Sequence, residues 1–316
     1  MKWSFSKWML IGIFILLIIV SSLSSKNFLQ LSNITNILRQ SSILGILAVG
    51  ETLVILTGGI DLSVGSLLAL SCIMSGICMP LGMGPAIIAA VGSATLMGLF
   101  SGFLVGKINL PPFIATIGMM GIAQGIALTA SNAEQFKIMN DHFNLISYGN
   151  LGPFPIPFLI WMILCFLVFY LTKFRKNGRY LYAVGSNEQA ARVAGINLTR
   201  IKMMVYSISG FTAGIAGVIA AARLNAGTPN IGEGYDMTTI SAVVIGGISL
   251  LGGEGTISGS LLGALILGLI ANYMNLVGIN PYFQDVVKGL IILIAVYVYF
   301  YGSQRRKVSL AVGGKA

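Results

Sequence analysis

The sequence predicts an all-α membrane protein, a polytopic bundle of about ten transmembrane helices with both termini in the cytoplasm. Hydrophobic residues make up 56% of the 316 residues and charged residues only 9%, and the mean hydropathy is +0.89. Soluble domains carry about 25% charged residues. The apolar content continues from one end of the chain to the other, so we expect residues 1–316 to form a single transmembrane domain.

Transmembrane helices need about 20 apolar residues to cross ~30 Å of hydrocarbon. The first apolar run resembles a signal peptide, but its core is long and no A-x-A-like cleavage site follows, which favours a membrane span. Ten runs fit the required length: residues 8–23, 34–60, two helices within 62–106 separated near Pro80, Gly82 and Pro85, then 112–130, 154–172, 203–222, 237–253, 256–275 and 282–301.

The basic residues predict the orientation of these helices, because Lys and Arg concentrate in cytoplasmic loops. The net charge of +10 is therefore interpreted as an orientation signal and not as a nucleic-acid-binding surface. With a cytoplasmic N-terminus, the outer loops contain little more than Lys26, Lys137 and Arg223. The inner loops and termini contain Lys2, Lys7, Lys107, Lys173, Arg175, Lys176, Arg179, Arg192, Arg200, Lys202, Arg305, Arg306, Lys307 and Lys315.

Glycines at helical spacing predict close packing of the helices. Small residues let helix backbones approach each other where no hydrophobic effect drives association. This pattern favours a compact bundle. The glycine stripes are Gly98, Gly102 and Gly106; Gly121 and Gly125; Gly210 and Gly214; and Gly259 and Gly263.

The stretch GETLVILTGGIDLSVGS places two carboxylates, Glu51 and Asp61, within apolar sequence. An ionised carboxylate in the bilayer core costs roughly 2.5 to 3.5 kcal/mol, so such residues are usually functional. Gly58 and Gly59 are expected to interrupt the helix, after which Asp61 can accept hydrogen bonds from free amides at the next helix start. Two interpretations remain open. These residues and Ser63 line a translocation path, or Asp61 caps a structural turn and Glu51 forms a hydrogen bond within the wall.

A weak repeat relates the two halves of the chain, about 34–131 and 203–301, which flank the largest predicted cytoplasmic loop, 173–202. In residues 54–70 and again in 243–265, an apolar run meets Gly-Gly-Ile, a polar interruption and then Gly-Ser-Leu-Leu. Corresponding glycine-interrupted segments in two halves are typical of transport sites, because broken helices expose backbone groups that can line a path.

The large cytoplasmic loop contains a predicted short helix in the segment SNEQAARVAGI. Ser186 and Gln189 fit a capping box, and Gly195 fits a C-terminal stop. Glu188 and Arg192 lie four residues apart, on one face of this helix. The helix is either a solvated amphipathic element or a docking element for a soluble subunit.

Other features exclude several classes of function. The single histidine, His142, lies in the outer loop 131–153 and is expected to be solvated, and this loop and 223–236 can receive an external partner. The sequence has no phosphate-binding loop, nucleophile elbow or H-E-x-x-H motif, so we expect no nucleotide, cofactor or metal to bind this chain and no enzymatic activity. Three cysteines in apolar runs are expected to be buried small hydrophobes: Cys72, Cys78 and Cys165.

Five segments together resemble the permease subunits of bacterial ABC importers for sugars, the ribose-type branch that also serves other monosaccharides and autoinducer-2. The resemblance covers about residues 41–299, and Glu51 departs from the family pattern, in which glutamine is common. The segments are TLVILTGGIDLSVGS, GKINLPPFIATIGMMGIAQGIAL, GRYLYAVGSNEQAARVAGINLTRIKMMVYSISG, AARLNAGTPNIGEGYDMTTISAVVIGGISLLGGEGT and FQDVVKGLIIL.

The resemblance implies a multi-pass permease of the bacterial cytoplasmic (inner) membrane, in which two permease copies, alike or unlike, enclose one pathway. Separate ATPase subunits, which carry ATP and Mg, would bind the cytoplasmic loops, and an extracytoplasmic solute-binding protein would deliver the substrate. The GGIDLS stretch would lie in or beside the path. The resemblance assigns ATPase docking to Glu188, Ala190, Ala191, Arg192, Gly195 and Ile196.

Two alternatives belong to other classes of transport protein. A stand-alone secondary transporter would use Glu51 or Asp61 to carry a proton, but intramembrane acids are scarce here and the basic loop is organised. A passive pore would need a ring of like charges or a polar stripe, and the sequence shows neither.

Overall fold

The computed structural model describes residues 3–280 and, beyond them, 282–284, 286, 287, 289, 290 and 293. Over this part the chain folds into helices, with four two-residue strands in the loops. The helices are α1 Trp3–Ser24, α2 Leu31–Leu56, α3 Val64–Cys78, α4 Met83–Gly106, α5 Pro112–Ser131, α6 Asp141–Tyr148, α7 Ile156–Phe174, α8 Lys176–Ser186, α9 Glu188–Val193, α10 Leu198–Leu224, α11 Tyr235–Ile245 and α12 Ile257–Leu276. The strands are β1 Phe136–Lys137, β2 Asn150–Leu151, β3 Phe154–Pro155 and β4 Ala226–Gly227.

Seven helices in the described part of the chain are long and apolar enough to cross a membrane: α2, α3 with the 3-10 turn that follows it, α4, α5, α7, α10 and α12. This confirms an all-α membrane bundle. The described apolar parts of α1 and α11 are shorter, and the tenth predicted span, 282–301, lies largely outside the described residues, as do both termini. The predicted count of ten spans therefore stays a prediction.

The predicted continuous span over 237–253 is a shorter helix. α11 ends at Ile245, so its 11 residues extend about 16 Å at 1.5 Å per residue, roughly half of the hydrocarbon thickness. Residues 246–256 then form turns before α12 begins. The glycines of this segment stop the helix because Gly has a poor helix propensity.

Proline and asparagine mark several helix boundaries, and the break near Pro80 lies where the sequence predicts it. Pro112 begins α5, where a missing N–H has no cost. A 3-10 turn at Met79–Leu81 and the following Gly82 separate α3 from α4, as the Pro80 signal predicts. Asn132 after α5 and Asn225 after α10 adopt the left-handed conformation that commonly ends a helix.

Contacts between loops define two ends of the bundle. At the α9 end, the Gly253 N–H donates to the Leu56 carbonyl at 3.0 Å. Thr199 Oγ1 donates there to the Gly106 carbonyl at 2.8 Å. At the strand end, β1 pairs with β4 and β2 with β3. Tyr148 Oη also donates there to the Arg223 carbonyl at 2.8 Å.

The long helix α10 packs between α4, α3 and α2. Its contact with α4 depends on glycine, because a Cβ on Gly210 would collide with the Ala94 backbone and a Cβ on Gly98 with the Tyr206 carbonyl. The stripes on α4, α10 and α12 therefore pack closely, as predicted. The α5 stripe does not pack against the described part of the chain, in which nothing lies within 4 Å of a Cβ built at Gly121 or Gly125.

The histidine and two of the three cysteines have the exposure that the sequence predicts. His142 is exposed on α6. Cys72 and Cys165 are buried, whereas Cys78 at the end of α3 is half-buried, because the 3-10 turn that follows is itself partly exposed.

Candidate functional site

The predicted helix break lies between α2 and α3, and it brings the two acidic residues into direct contact. Glu51 and Asp61 are both fully buried. The backbone N–H of Asp61 donates to Glu51 Oε1 at 3.1 Å, while Glu51 Oε2 has no hydrogen-bond partner among the described residues. No ion pair links either carboxyl to a described basic side chain.

Asp61 holds the start of α3 and joins it to α10. Its Oδ1 accepts from the Ser63 N–H at 3.0 Å and from Ser63 Oγ at 2.5 Å. Its Oδ2 accepts from Ser209 Oγ, on α10, at 2.8 Å. One carboxyl group therefore satisfies the first free amide of α3 and forms an interhelical hydrogen bond in the bundle interior.

The two glycines before Asp61 make the turn possible. Gly58 has a φ of +79°, a conformation that side chains other than glycine rarely adopt. A Cβ on Gly59 would lie 2.6 Å from Tyr206 Oη, and this hydroxyl donates to the Ile60 carbonyl at 3.5 Å. The turn is thus closed by α10 from one side.

Of the five residues predicted to line a translocation path, only Gly58 is exposed. Glu51, Gly59, Asp61 and Ser63 are buried in the packed contact between the turn and α10. The geometry matches the structural interpretation, a capped turn with Glu51 bonded within the wall. The assignment of these residues to the path stays a prediction.

The predicted loop helix is α9, and its N-cap differs from the prediction. Asn187 caps the helix by accepting from the Ala190 N–H at 2.9 Å, whereas Ser186 Oγ donates to the Tyr182 carbonyl within α8 at 2.7 Å. The Ser186 capping box is therefore wrong by one residue. The reason is that α8 continues through Ser186, so its hydroxyl bonds to the preceding turn.

The C-terminal stop of α9 is confirmed. Gly195 has a φ of +78°, its N–H bonds to the Arg192 carbonyl at 3.0 Å, and the Ile196 N–H bonds to the Ala191 carbonyl at 3.0 Å. This pair of bonds is a Schellman motif. Ala191 and Ile196, two of the predicted docking residues, thus fix the shape of the helix end.

Ion pairs fix the orientation of α9. Lys202 Nζ, on α10, contacts both carboxylate oxygens of Glu188, at 2.9 and 3.0 Å. Arg192 lies 3.9 Å from the same carboxylate and remains largely exposed. Glu188 therefore ties α9 to α10, while Arg192 is free to contact a partner.

The outer surface of α9 contains an exposed apolar side chain that the sequence analysis did not select. Val193 is 90% exposed, and Gln189, Ala190, Arg192 and Ala194 around it are also exposed. A single exposed apolar residue is common on protein surfaces, so Val193 becomes a candidate contact only together with the docking role that the resemblance implies for this helix. The signal was available in the sequence, because Val193 directly follows Arg192 on the predicted helix.

Other residues of the site were missed because their roles depend on distant segments. Tyr206 and Ser209, on α10, contact the acidic turn, which is the segment 57–63 with Asp61. Lys202, interpreted above only as an orientation signal, pairs with Glu188. Arg39, which lies inside the predicted second span, donates at the strand end to the Tyr148 carbonyl at 2.8 Å and to Asn150 Oδ1 at 3.0 Å.

The chain matches known transport proteins over most of its length. The family model described as "Branched-chain amino acid transport system / permease component" matches residues 33–296. The chain belongs to this permease family. The predicted resemblance is therefore confirmed, and so is the multi-pass location in the bacterial cytoplasmic membrane, which the seven apolar helices also support.

Individual members of this family are sugar permeases. The chain is 41% identical to the ribose import permease of Escherichia coli over 302 residues, 94% of each chain. It is 42% identical to the ribose import permease of Bacillus subtilis over 292 residues, 90% of each chain. It is 38% identical to the D-allose transport system permease of Escherichia coli over 290 residues, 90% of this chain and 89% of the relative. No solved structure matches the chain.

These relatives decide between the functional classes considered above. They are import and transport permeases, which confirms a transport subunit over an enzyme. They also support the importer interpretation over a stand-alone proton-coupled transporter.

Proposed function

We propose that this chain forms the membrane pathway of an ABC importer for a ribose-like monosaccharide. The observation that carries this proposal is the match with sugar permeases over about nine-tenths of the chain: two that import ribose and one named for D-allose. Separate ATPase subunits would supply the energy with their own ATP and Mg. A solute-binding protein would deliver the sugar from outside.

We further propose that the full chain is one domain of ten spans with both termini in the cytoplasm. The α9 end would face the cytoplasm. The described basic residues support this orientation, because those predicted for the inner loops lie together at that end, as the positive-inside rule expects. They are Lys107, Lys173, Arg175, Lys176, Arg179, Arg192, Arg200 and Lys202.

The ATPase would bind α9. The ion pair of Glu188 with Lys202 holds the helix against α10, and the exposed side chains of Val193 and Arg192 would then face the cytoplasm. ATP binding would close the ATPase subunits, and α9 would transmit that closure to the bundle. The bundle, formed with a second permease copy, would then switch between inward- and outward-facing states.

The path itself would provide only weak contacts to the sugar, because the binding protein supplies selectivity. We propose that the turn of Gly58, Gly59, Asp61 and Ser63 lies beside the path and opens toward it in another state. The helix–break–helix arrangement at 57–63 and again at 246–256 supports this placement, since broken helices expose backbone groups in transporters.

Affinity purification tests the proposal directly. The chain would be tagged in its native cell, extracted in mild detergent, and the bound proteins identified and counted by mass spectrometry. Recovery of an ATPase with Walker motifs, together with two permease subunits, is the expected result. A chain that purifies alone and carries sugar in liposomes without ATP would contradict it.

Variants on α9 locate the docking surface. Val193→Glu is expected to reduce ATPase recovery by roughly 10-fold or more, because burying an unpaired carboxylate in the contact costs at least the ~1.4 kcal/mol that corresponds to a tenfold change in affinity. Arg192→Glu is expected to act in the same direction. Val193→Thr, which keeps the side-chain size, is the matched control. Normal ATPase recovery with both glutamate variants would remove docking from α9.

Uptake assays test the substrate. Proteoliposomes with the complete complex would be supplied with labelled ribose, D-allose or fructose. Saturable, ATP-dependent uptake of one of these sugars is expected. Uptake of branched-chain amino acids and of none of the sugars would contradict the sugar assignment.

A further inference from the structure

Three backbone segments meet next to α9 in one tight contact, which we name the glycine junction. It consists of the end of α2 at Leu56 and Gly58, the end of α8 at Gly185, and the turn between α11 and α12 at Gly252 and Gly253. The junction therefore joins both helix breaks of the chain to the element that leads into α9.

A backbone hydrogen bond connects the end of α2, just before the first break, to the second break. The Gly253 N–H donates to the Leu56 carbonyl at 3.0 Å. Gly185 lies directly against this bond, because a Cβ built there would collide with the Leu56 carbonyl oxygen and approach the Gly253 nitrogen. Gly252 fits as closely, since its Cβ would lie 2.7 Å from the Gly58 nitrogen and 3.0 Å from the Gly185 Cα.

The connection between the junction and α9 is only one residue long. α8 ends at Ser186 and α9 begins at Glu188, so Asn187 alone connects them. The Asn187 N–H bonds to the Ala183 carbonyl in α8 at 3.1 Å, and its side chain caps α9. A displacement of α9 is therefore transmitted to the end of α8.

Tyr182, one turn before Ser186, forms a second contact with the same turn. Its hydroxyl donates to the Gly255 carbonyl at 3.1 Å. Tyr180, two residues earlier, is half-buried on the same helix, and its ring makes a cation–π contact with Lys176, at 5.5 Å from Nζ to the ring centroid.

We propose that Gly185 and Tyr182 are positioning residues that couple α9 to both helix breaks. When the ATPase moves α9, α8 would carry the Leu56 end of α2 and the 246–256 turn with it as one unit. Close-packed contacts support such transmission because they shift between discrete arrangements and deform little. This inference rests on the proposed function, since it assumes that an ATPase docks on α9.

The test separates coupling from folding and from docking. The complex would be reconstituted with its ATPase and binding protein, with ribose, D-allose or fructose as the probe, whichever gives the parent complex the largest uptake. Three quantities would be measured: ATPase recovery with the permease, the basal ATPase rate, and the ATP hydrolysed per sugar transported.

Tyr182→Phe is the first variant, because it removes only the bond to Gly255. We expect unchanged ATPase recovery, an unchanged basal rate, and about a threefold to tenfold rise in ATP hydrolysed per sugar, as for the loss of one hydrogen bond. Gly185→Ala should act in the same direction and more strongly, because its methyl group occupies the Leu56–Gly253 bond. Tyr180→Phe, the matched control, should leave all three quantities unchanged.

Two outcomes overturn the inference. One is Tyr182→Phe with the parental ATP-to-sugar ratio. The other is a ratio that rises equally in Tyr180→Phe, because the effect would then not depend on the junction. Both presuppose a parent complex that contains the ATPase and transports with ATP. A parent chain without either property contradicts the proposed function itself, independently of these variants.

Discussion

Replacement of Asp61 tests whether the acidic turn is a structural element of the bundle. Asp61→Ala removes the acceptor of three hydrogen bonds, those from the Ser63 N–H, Ser63 Oγ and Ser209 Oγ. The site is fully buried, so the abandoned groups have no access to water. The variant is therefore expected to lose stability even though it removes an ionisable group from the interior of the bundle.

The magnitude follows from the individual bonds. A buried amide without an acceptor costs about 1–3 kcal/mol. The interhelical bond from Ser209 is worth about 0.6 kcal/mol on average and at most ~1.7 kcal/mol in membrane proteins. The Ser63 hydroxyl can rotate to another acceptor. Asp61→Ala should therefore lower the free energy of unfolding by roughly 2–5 kcal/mol.

Asp61→Asn is the matched control, because it keeps the size of the side chain. The amide oxygen can accept both Ser63 bonds, and the amide nitrogen can donate to Ser209 Oγ, since a hydroxyl both donates and accepts. Asp61→Asn should therefore lie within about 1 kcal/mol of the parent. Ser209→Ala should lose less than Asp61→Ala, and the double variant less than the sum, because the two residues share one bond.

Reversible unfolding in mixed micelles, followed by circular dichroism, measures these differences. An Asp61→Ala protein as stable as the parent would refute the reasoning, as would an Asp61→Asn protein as unstable as Asp61→Ala. Transport by Asp61→Asn then tests the path. A stable variant with normal uptake supports a purely structural role, and a stable variant without uptake supports contact between the carboxylate and the path.

Three further predictions concern other contacts. Glu51→Gln should retain folding and ATP-dependent uptake, because Oε1 accepts from the Asp61 N–H and Oε2 has no hydrogen-bond partner among the described residues; loss of ATP-dependent uptake in a stably folded variant would contradict this reasoning. Gly210→Ala should strongly reduce membrane yield and Tm, because the added Cβ would collide with the Ala94 backbone. Gly121→Ala should be tolerated, because no described atom lies within 4 Å of a Cβ built there. Equal yields of the two variants would contradict the α4–α10 packing. Lys202→Met should weaken ATPase recovery, because α9 loses its bidentate tie through Glu188, and parental recovery would show that this ion pair does not orient the helix.

The sequence was sufficient for features that depend on local composition. Apolar runs located the described transmembrane helices, and the Gly195 stop of α9 followed from glycine preferences alone. The Ser186 prediction failed by one residue, because a capping motif does not reveal that α8 continues through the serine. Helix boundaries depend on competition between neighbouring helices, and a short motif contains no information about it.

Glycine spacing illustrates what the sequence cannot decide. The stripes on α4 and α5 look alike, yet Gly98 contacts the α10 backbone and Gly121 contacts nothing within 4 Å. Spacing shows that a helix can be approached closely, but the partner depends on the tertiary arrangement. A mutational scan of the two stripes would therefore separate packing within this chain from contacts that the proposed second permease copy would supply.

The turn between α2 and α3 and the glycine junction both depend on a break between two helices, but the breaks make different contacts. In the turn, a broken helix buries two carboxyls against α10, with Asp61 bonded to Ser209. In the junction, a second broken segment bonds to the end of the first through Leu56 and Gly253. This bond therefore ties the positions of the two breaks to each other, and they can separate only when it is broken. If both breaks lie beside the path, as proposed above, this connection would keep them from moving independently and opening a leak through the membrane.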